Sequence, residues 1–135
     1  MNKISVVGLD SKYRFLEKRI KKTTRKFFQL LKKEDCYLDI FLVTSRKMKF
    51  LNKKFRNKDK AAEILTFVEP NNYPHPESGL KFLGEIYLNP GCIAPENFDR
   101  LLAHGLLHLF GFFHKKKSDR IIMEAKERFL ISHAQ

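Results

Sequence analysis

His104, His108 and His114 fall within one short run, H-G-L-L-H-L-F-G-F-F-H. The first two stand one helical turn apart, so a helix through them projects both imidazoles from the same face. Gly111 permits the left-handed backbone that ends a helix, and the chain can turn back there with His114. Three converging imidazoles suit a divalent transition metal. With only three protein ligands a fourth position stays open, which is the pattern of a catalytic zinc rather than a structural one. Burying three imidazoles in an apolar run with no shared partner would be unfavourable. The spacing therefore predicts one divalent metal per chain, Zn2+ foremost, held by His104, His108 and His114.

The same spacing matches the long zinc-protease signature H-E-x-x-H-x-x-G-x-x-H except at one place. The glutamate that acts there as general base is Gly105 in this chain. The metal ligands are kept and the protease's proton-transfer residue is missing.

Composition narrows the class. With 135 residues the chain makes one domain, 1–135, large enough for a core. Lys and Arg total 27 against 15 Asp and Glu, a formal net charge of +12 that favours a polyanionic partner such as nucleic acid. Phe is frequent at 13 and reads mainly as core packing. Cys36 and Cys92 fit neither a metal motif nor a disulfide framework, so they read as reduced residues of a cytoplasmic protein. No secretory signal is legible at the start, and no apolar run approaches the roughly 20 residues that cross a bilayer, so no membrane role is expected.

The elements that must position the histidines follow from periodicity. Residues 3–9 read as a strand, and residues 11–33 as a long amphipathic helix with Leu16, Ile20, Phe27 and Leu30 or Leu31 at helical spacing. Residues 36–44 read as a strand. Residues 45–55 read as a second basic helix, capped by Ser45, with Met48, Leu51 and Phe55 as its stripe. Residues 63–68 and 83–89 read as strands, separated by a Pro- and Asn-rich loop over 69–79. Pro95 or Asp99 opens the histidine helix. Ser118 or Asp119 caps a last helix with Ile121, Ile122, Ala125, Phe129 and Leu130 as its apolar face. Strands and helices mix without strict alternation, which makes the class α+β with a mixed sheet.

The histidine run resembles the signature of the YbeY family of ribosomal-RNA maturation endoribonucleases, approximately H-G-x-L-H-L-x-G-Y-D-H. Leu51-Asn52-Lys53-Lys54-Phe55-Arg56, then Glu63-Ile64-Leu65-Thr66-Phe67, are similar to its L-N-x-x-[YF]-R and T-D-V-L-S-F blocks. Gly84-Glu85-Ile86 is similar to its G-D-I, and Met123-Glu124-Ala125 to a further segment. The resemblance implies a zincin-like fold with a central metal-binding helix. It also implies metal-dependent cleavage of single-stranded RNA in maturation and quality control of the small ribosomal subunit. It puts the family's functionally important arginine on Arg56. Partners implied are ribosomal RNA, small-subunit proteins and assembly factors.

This chain departs from the pattern in several places. Phe113 replaces the Asp before the third histidine, Ala62-Glu63 replaces T-D, Thr66 replaces Ser, and Glu85 replaces the Asp of G-D-I. A carboxylate that orients the ligand histidines is then lost or supplied elsewhere, and Glu63 and Glu85 are candidates for it. Two other readings stand beside the endoribonuclease. One is an assembly factor that binds RNA or protein around a structural metal. The other is a metallopeptidase, disfavoured by Gly105 and by the basic charge. Basic segments 12–33 and 46–60 can track an RNA backbone, and some of the aromatics among them (Tyr13, Phe15, Phe27, Phe28, Phe50, Phe55) can stack on bases, although at helical spacing most read as core.

Overall fold

The computed structural model describes residues 2–69, 79–112 and 116–134. The elements in chain order are β1 (Lys3–Gly8), α1 (Glu17–Leu30), β2 (Cys36–Leu42), α2 (Ser45–Arg56), β3 (Ile64–Val68), β4 (Lys81–Leu88), α3 (Phe98–Leu109) and α4 (Lys117–Ala134). Short 3-10 turns cover Ser11–Leu16, Pro90–Cys92 and Pro95–Asn97. The strands form one sheet in the order β1-β2-β4-β3. The first three run parallel, and β3 lies antiparallel at the edge. The mixed α+β architecture is the one the sequence pattern called for. Most of the expected loop over 69–79 lies outside the described residues, as do His75, Phe113 and His114.

Burial alternates along β2. Cys36, Leu38, Ile40 and Leu42 are buried, with Tyr37, Asp39 and Phe41 between them on the other face. The buried set joins Ile4, Ile86 and Leu88 under α1, α3 and α4 to make the main core. Each such side chain removed from water contributes roughly 1.5–3 kcal/mol before conformational entropy is subtracted. A smaller cluster of Val43, Met48, Leu51 and Leu65 packs on the opposite face with Phe41, Phe67 and Tyr87. The sheet therefore separates α2 from the other three helices.

Several boundaries differ from the sequence reading. Residues 11–16 form a 3-10 turn rather than the first turns of α1. Asp10 caps it by accepting a hydrogen bond from Lys12 N. The chain folds back there over Gly8, whose N–H donates to Glu17 Oε2 at 2.8 Å. Thr44, not Ser45, caps α2. Phe55 leaves the expected α2 stripe and is half exposed, while Asn52 is buried in its place. The apolar face of α4 also differs: Met123, Glu127 and Leu130 are buried, whereas Ile121, Ile122 and Phe129 are largely exposed. The reason is tertiary, because the side that meets α1 and α3 is chosen by how α4 docks.

Gly84 makes the sheet work. Tyr37 pairs with Phe82, and Leu38 pairs with Gly84, so one extra residue sits in β4 as a bulge. The bulge shifts the side-chain phase by one. Leu83 and Ile86 then both join the main core, and Phe82 and Glu85 both face the other side. Gly84 has φ +133°, and a Cβ there would stand 2.1 Å from the Phe67 carbonyl oxygen. That obstacle is backbone and cannot swing away. Gly84→Ala is expected to lose roughly 2–5 kcal/mol from strain and overpacking together. Gly79→Ala, with φ +67° in open space, should lose only about 1 kcal/mol. Urea denaturation of both variants checks the difference, and equal midpoints would contradict it.

Candidate metal centre

The site is built on α3, which carries Leu101, His104 and His108 at i, i+3 and i+7 along one stripe. Neighbouring residues Leu102, Ala103, Leu106 and Leu107 are buried and fix the helix against the sheet. Gly105 is the point of closest approach. A Cβ there would meet Ile64 Cδ1 at 2.8 Å, Thr66 Cγ2 at 3.2 Å and Ile86 Cδ1 at 3.5 Å. Position 105 therefore faces β3 and β4, and a glutamate there would be driven into apolar side chains.

The helix ends as its glycine requires. Gly111 N–H donates to the His108 carbonyl at 3.0 Å, and Phe112 N–H to the Leu107 carbonyl at 3.0 Å. This paired arrangement needs a left-handed residue after the cap, and Gly111 supplies φ +93°. His108 is thereby held within the last turn of a defined helix.

The two imidazoles face each other, with Nε2 of His104 and Nε2 of His108 3.0 Å apart. Two nitrogens bound to one tetrahedral zinc at 2.0–2.1 Å stand roughly 3.3 Å apart, so the pair fits a shared ion closely. On its other side, His104 Nδ1 is hydrogen-bonded to Glu127 Oε1. The contact to the carboxylate fixes the ring so that Nε2 is directed towards His108. Glu127 is only 8% exposed. His114 lies outside the described residues, and no group of three or more possible metal-binding side chains occurs among those described.

Glu127 was not singled out in the sequence. Its signal was faint but physical: a carboxylate at i+4 between Met123 and Leu130, within what proves to be the buried stripe. It is the carboxylate hydrogen-bonded to His104, and it comes from α4.

The two carboxylates singled out earlier lie elsewhere. Glu85 is on the α2 face of the sheet, opposite α3, and accepts a hydrogen bond from the Tyr87 hydroxyl at 3.2 Å. Glu63 is exposed just before β3 and lines a cavity of about 470 Å³ with Asn52, Arg56, Lys58, Lys60 and Leu101.

Arg56 ends α2 and reaches across to the free edge of the sheet. Its Nη2 donates to the Thr66 carbonyl at 2.8 Å, and its guanidinium lies over Phe67 at 4.8 Å. Thr66 is also the residue whose methyl group touches Gly105. Arg56 and the histidine stripe thus flank β3, and the cavity wall shared with Leu101 connects them. Asn52 holds this corner together: its Nδ2 donates to the Lys60 carbonyl, and its own carbonyl accepts from Asn57 and Lys58. On the other side of the histidines, Arg100 and Arg120 line a cavity of about 340 Å³ with His104, Met123, Glu124 and Glu127.

A family model described as Endoribonuclease YbeY matches residues 7–135. The chain belongs to the YbeY family. A curated YbeY endoribonuclease of Anaeromyxobacter dehalogenans is 34% identical over 120 residues, covering 82% of this chain and 60% of the relative. One from Thermodesulfovibrio yellowstonii is 39% identical over 88 residues, 58% of this chain and 54% of the relative. One from Mesomycoplasma hyopneumoniae is 31% identical over 145 aligned positions, 92% of this chain and 97% of the relative. The chain thus spans a little over half of the first two relatives and nearly all of the third. The solution structure of a Thermotoga maritima protein shares the fold, with TM-score 0.62 and 24% identity, covering 97% of this chain and 88% of that one.

Other ionisable groups of this YbeY-family chain serve the sheet. Burial and then the Glu85 charge push the Tyr87 phenol up to about 12, aided by its hydrogen bond to Glu85 and by Asp39. Unfolding returns it to about 10. Below pH 10 the phenol is neutral in both states and its stabilising contribution is complete. Between about 10 and 12 only the unfolded chain ionises, so stability falls as pH rises. Denaturation midpoints measured across that window should drop in the wild type, and Tyr87→Phe should flatten the slope. An unchanged slope in Tyr87→Phe would assign the alkaline loss to other groups.

Proposed function

We propose that this chain is a metal-dependent endoribonuclease that cuts single-stranded segments of ribosomal RNA during small-subunit maturation and quality control. The observation that carries the reading is the His104–His108 pair, locked by Glu127 on a strongly basic surface, in a chain of the YbeY family. The ligand set proposed is His104, His108 and His114. Held there, zinc would supply a polarised phosphate oxygen and a water acidified towards neutrality.

The protein's own residues do the rest. Glu127 orients the His104 imidazole through Nδ1. The Arg56 guanidinium, held by Nη2 on the Thr66 carbonyl and by Nη1 on the Phe55 carbonyl, has further N–H groups to offer phosphate oxygens. Lys58 and Lys60 line the same cavity and can hold flanking phosphates. Farther away, Arg19, Lys22, Arg25 and Lys26 line a groove of about 640 Å³ along α1 that can attract an RNA backbone. Ribosomal proteins and assembly factors in the cytoplasm are partners under the same proposal. No helix among the described residues is long and apolar enough to cross a membrane. The metallopeptidase reading loses its base physically, because position 105 faces the sheet.

Zinc-loaded protein should cut a labelled single-stranded RNA, lose that activity with chelator, and leave casein intact. His108→Ala should lose both metal and cleavage. Arg56→Ala should keep metal and fold yet cut roughly 10²–10³-fold more slowly, with Arg56→Lys a poor rescue. A wild-type rate in Arg56→Ala would reduce that residue to a surface charge. Cleavage indifferent to chelation and to His108→Ala would overturn the enzyme and favour the assembly factor.

Glu127 has a separate readout. Glu127→Gln keeps the shape but weakens the acceptor, and metal affinity should fall about 10–100-fold in competition with a chelating dye. Undiminished affinity would show that the carboxylate serves packing alone.

A further inference from the structure

Phe27 and Phe28 are fully buried, whereas Phe50 and Phe55 are 55% and 51% exposed on α2. The fold does not need them there, since α2 anchors itself through Met48, Leu51 and Asn52. Both exposed rings carry cations. Lys47 Nζ lies 5.2 Å from the Phe50 centroid. Lys54 Nζ lies 5.8 Å from Phe50 and 5.3 Å from Phe55, so one ammonium touches both rings. Phe55 meets Phe67 edge to face at 5.4 Å, and the Arg56 guanidinium covers Phe67. Rings and cations alternate from Phe50 through Lys54, Phe55 and Phe67 to Arg56, where the Arg56 cavity opens.

We propose that this strip is a stacking platform for the bases of single-stranded RNA, which leads the strand to Arg56. The proposal rests on the RNA-cleaving reading and gives it a substrate-guiding surface. Charge selects the occupant. Between Ser45 and Arg56 the helix carries six Lys and Arg and no carboxylate. An apolar protein partner would have to cover those cations without neutralising them. An RNA strand brings a phosphate for each ammonium and a π face for each ring, whatever its sequence. Stacking outweighs an exposed cation–π contact, so Lys47 and Lys54 would move from ring to phosphate as a base arrives. A duplex hides its base faces and gains little.

The test is fluorescence anisotropy of the purified full-length protein with three labelled 12-mers: a single-stranded RNA, the same strand with abasic riboses, and a duplex. Wild type should prefer the base-bearing single strand over both others. Phe50→Ala and Phe55→Ala should each bind it roughly 5- to 100-fold more weakly and lose the preference over the abasic strand. Their salt dependence should stay parallel to wild type, because no phosphate contact is removed. Lys54→Gln should instead flatten the slope of log affinity against log salt by about 0.7. Phe50→Trp and Phe55→Trp should retain binding, and both positions are exposed enough to substitute without unfolding the chain.

Wild-type affinity and preference in the alanine variants would overturn the platform and leave the strip to a protein partner. A wild type that ignores the presence of bases would overturn it as well, even if it cuts RNA. A wild type that shows the base preference, lost in the alanine variants, but cuts nothing would support the platform and overturn the endoribonuclease.

Discussion

The close approach of α3 to β3 and β4 at Gly105 governs the site. With hydrogen at that position, Ile64, Thr66 and Ile86 rise to meet the helix backbone. This fixes the height and rotation of α3 and turns the Leu101–His104–His108 stripe towards the β3 edge and α4. A larger residue would lift the helix and move both imidazoles relative to Glu127 and Arg56, which are anchored on other elements. The zinc-protease base cannot occupy this position for the same reason. The packing that places His104 and His108 also excludes a glutamate at position 105.

Around that contact, charge is divided by the sheet. On the helical side, a buried carboxylate from α4 is hydrogen-bonded to Nδ1 of His104, whose Nε2 faces His108. On the α2 side, Glu85 and Asp39 are occupied with Tyr87 and Tyr37. Each of these carboxylates accepts a hydrogen bond from a tyrosine of its own strand. The edge strand β3 connects the two sides. Its Thr66 offers a carbonyl to Arg56 and a methyl group to Gly105. A residue in the middle of a short edge strand thereby ties the arginine to the histidine helix.

The exposed face of α2 has the opposite character to its buried face. Met48 and Leu51 hold the helix to the sheet, and Asn52 stitches its end to the following loop. The remaining surface is free to combine aromatic rings with ammonium groups. The helix is held by its buried side, so substitutions on the exposed side leave its anchoring residues in place.

Local chemistry in the sequence determined much of this protein. The i, i+4 histidines suited a helix that Gly111 could end, and the structure ends α3 at Leu109 with Gly111 in the left-handed conformation just beyond the cap. β-Branched and aromatic residues made β2 legible, and the charge excess pointed to a polyanion. The tertiary structure alone decided which carboxylate meets the histidines. Glu127 lies 23 residues from His104, and only the docking of α4 on α3 brings it near, whereas strand phase carries Glu85 to the far face. It also decided which phenylalanines are core. Periodicity placed Phe55 in the α2 stripe, but the helix buries only Met48, Leu51 and Asn52 and leaves Phe55 beside Phe67 at the surface. Sequence spacing fixes which side chains share a face, and the partner element fixes what that face meets.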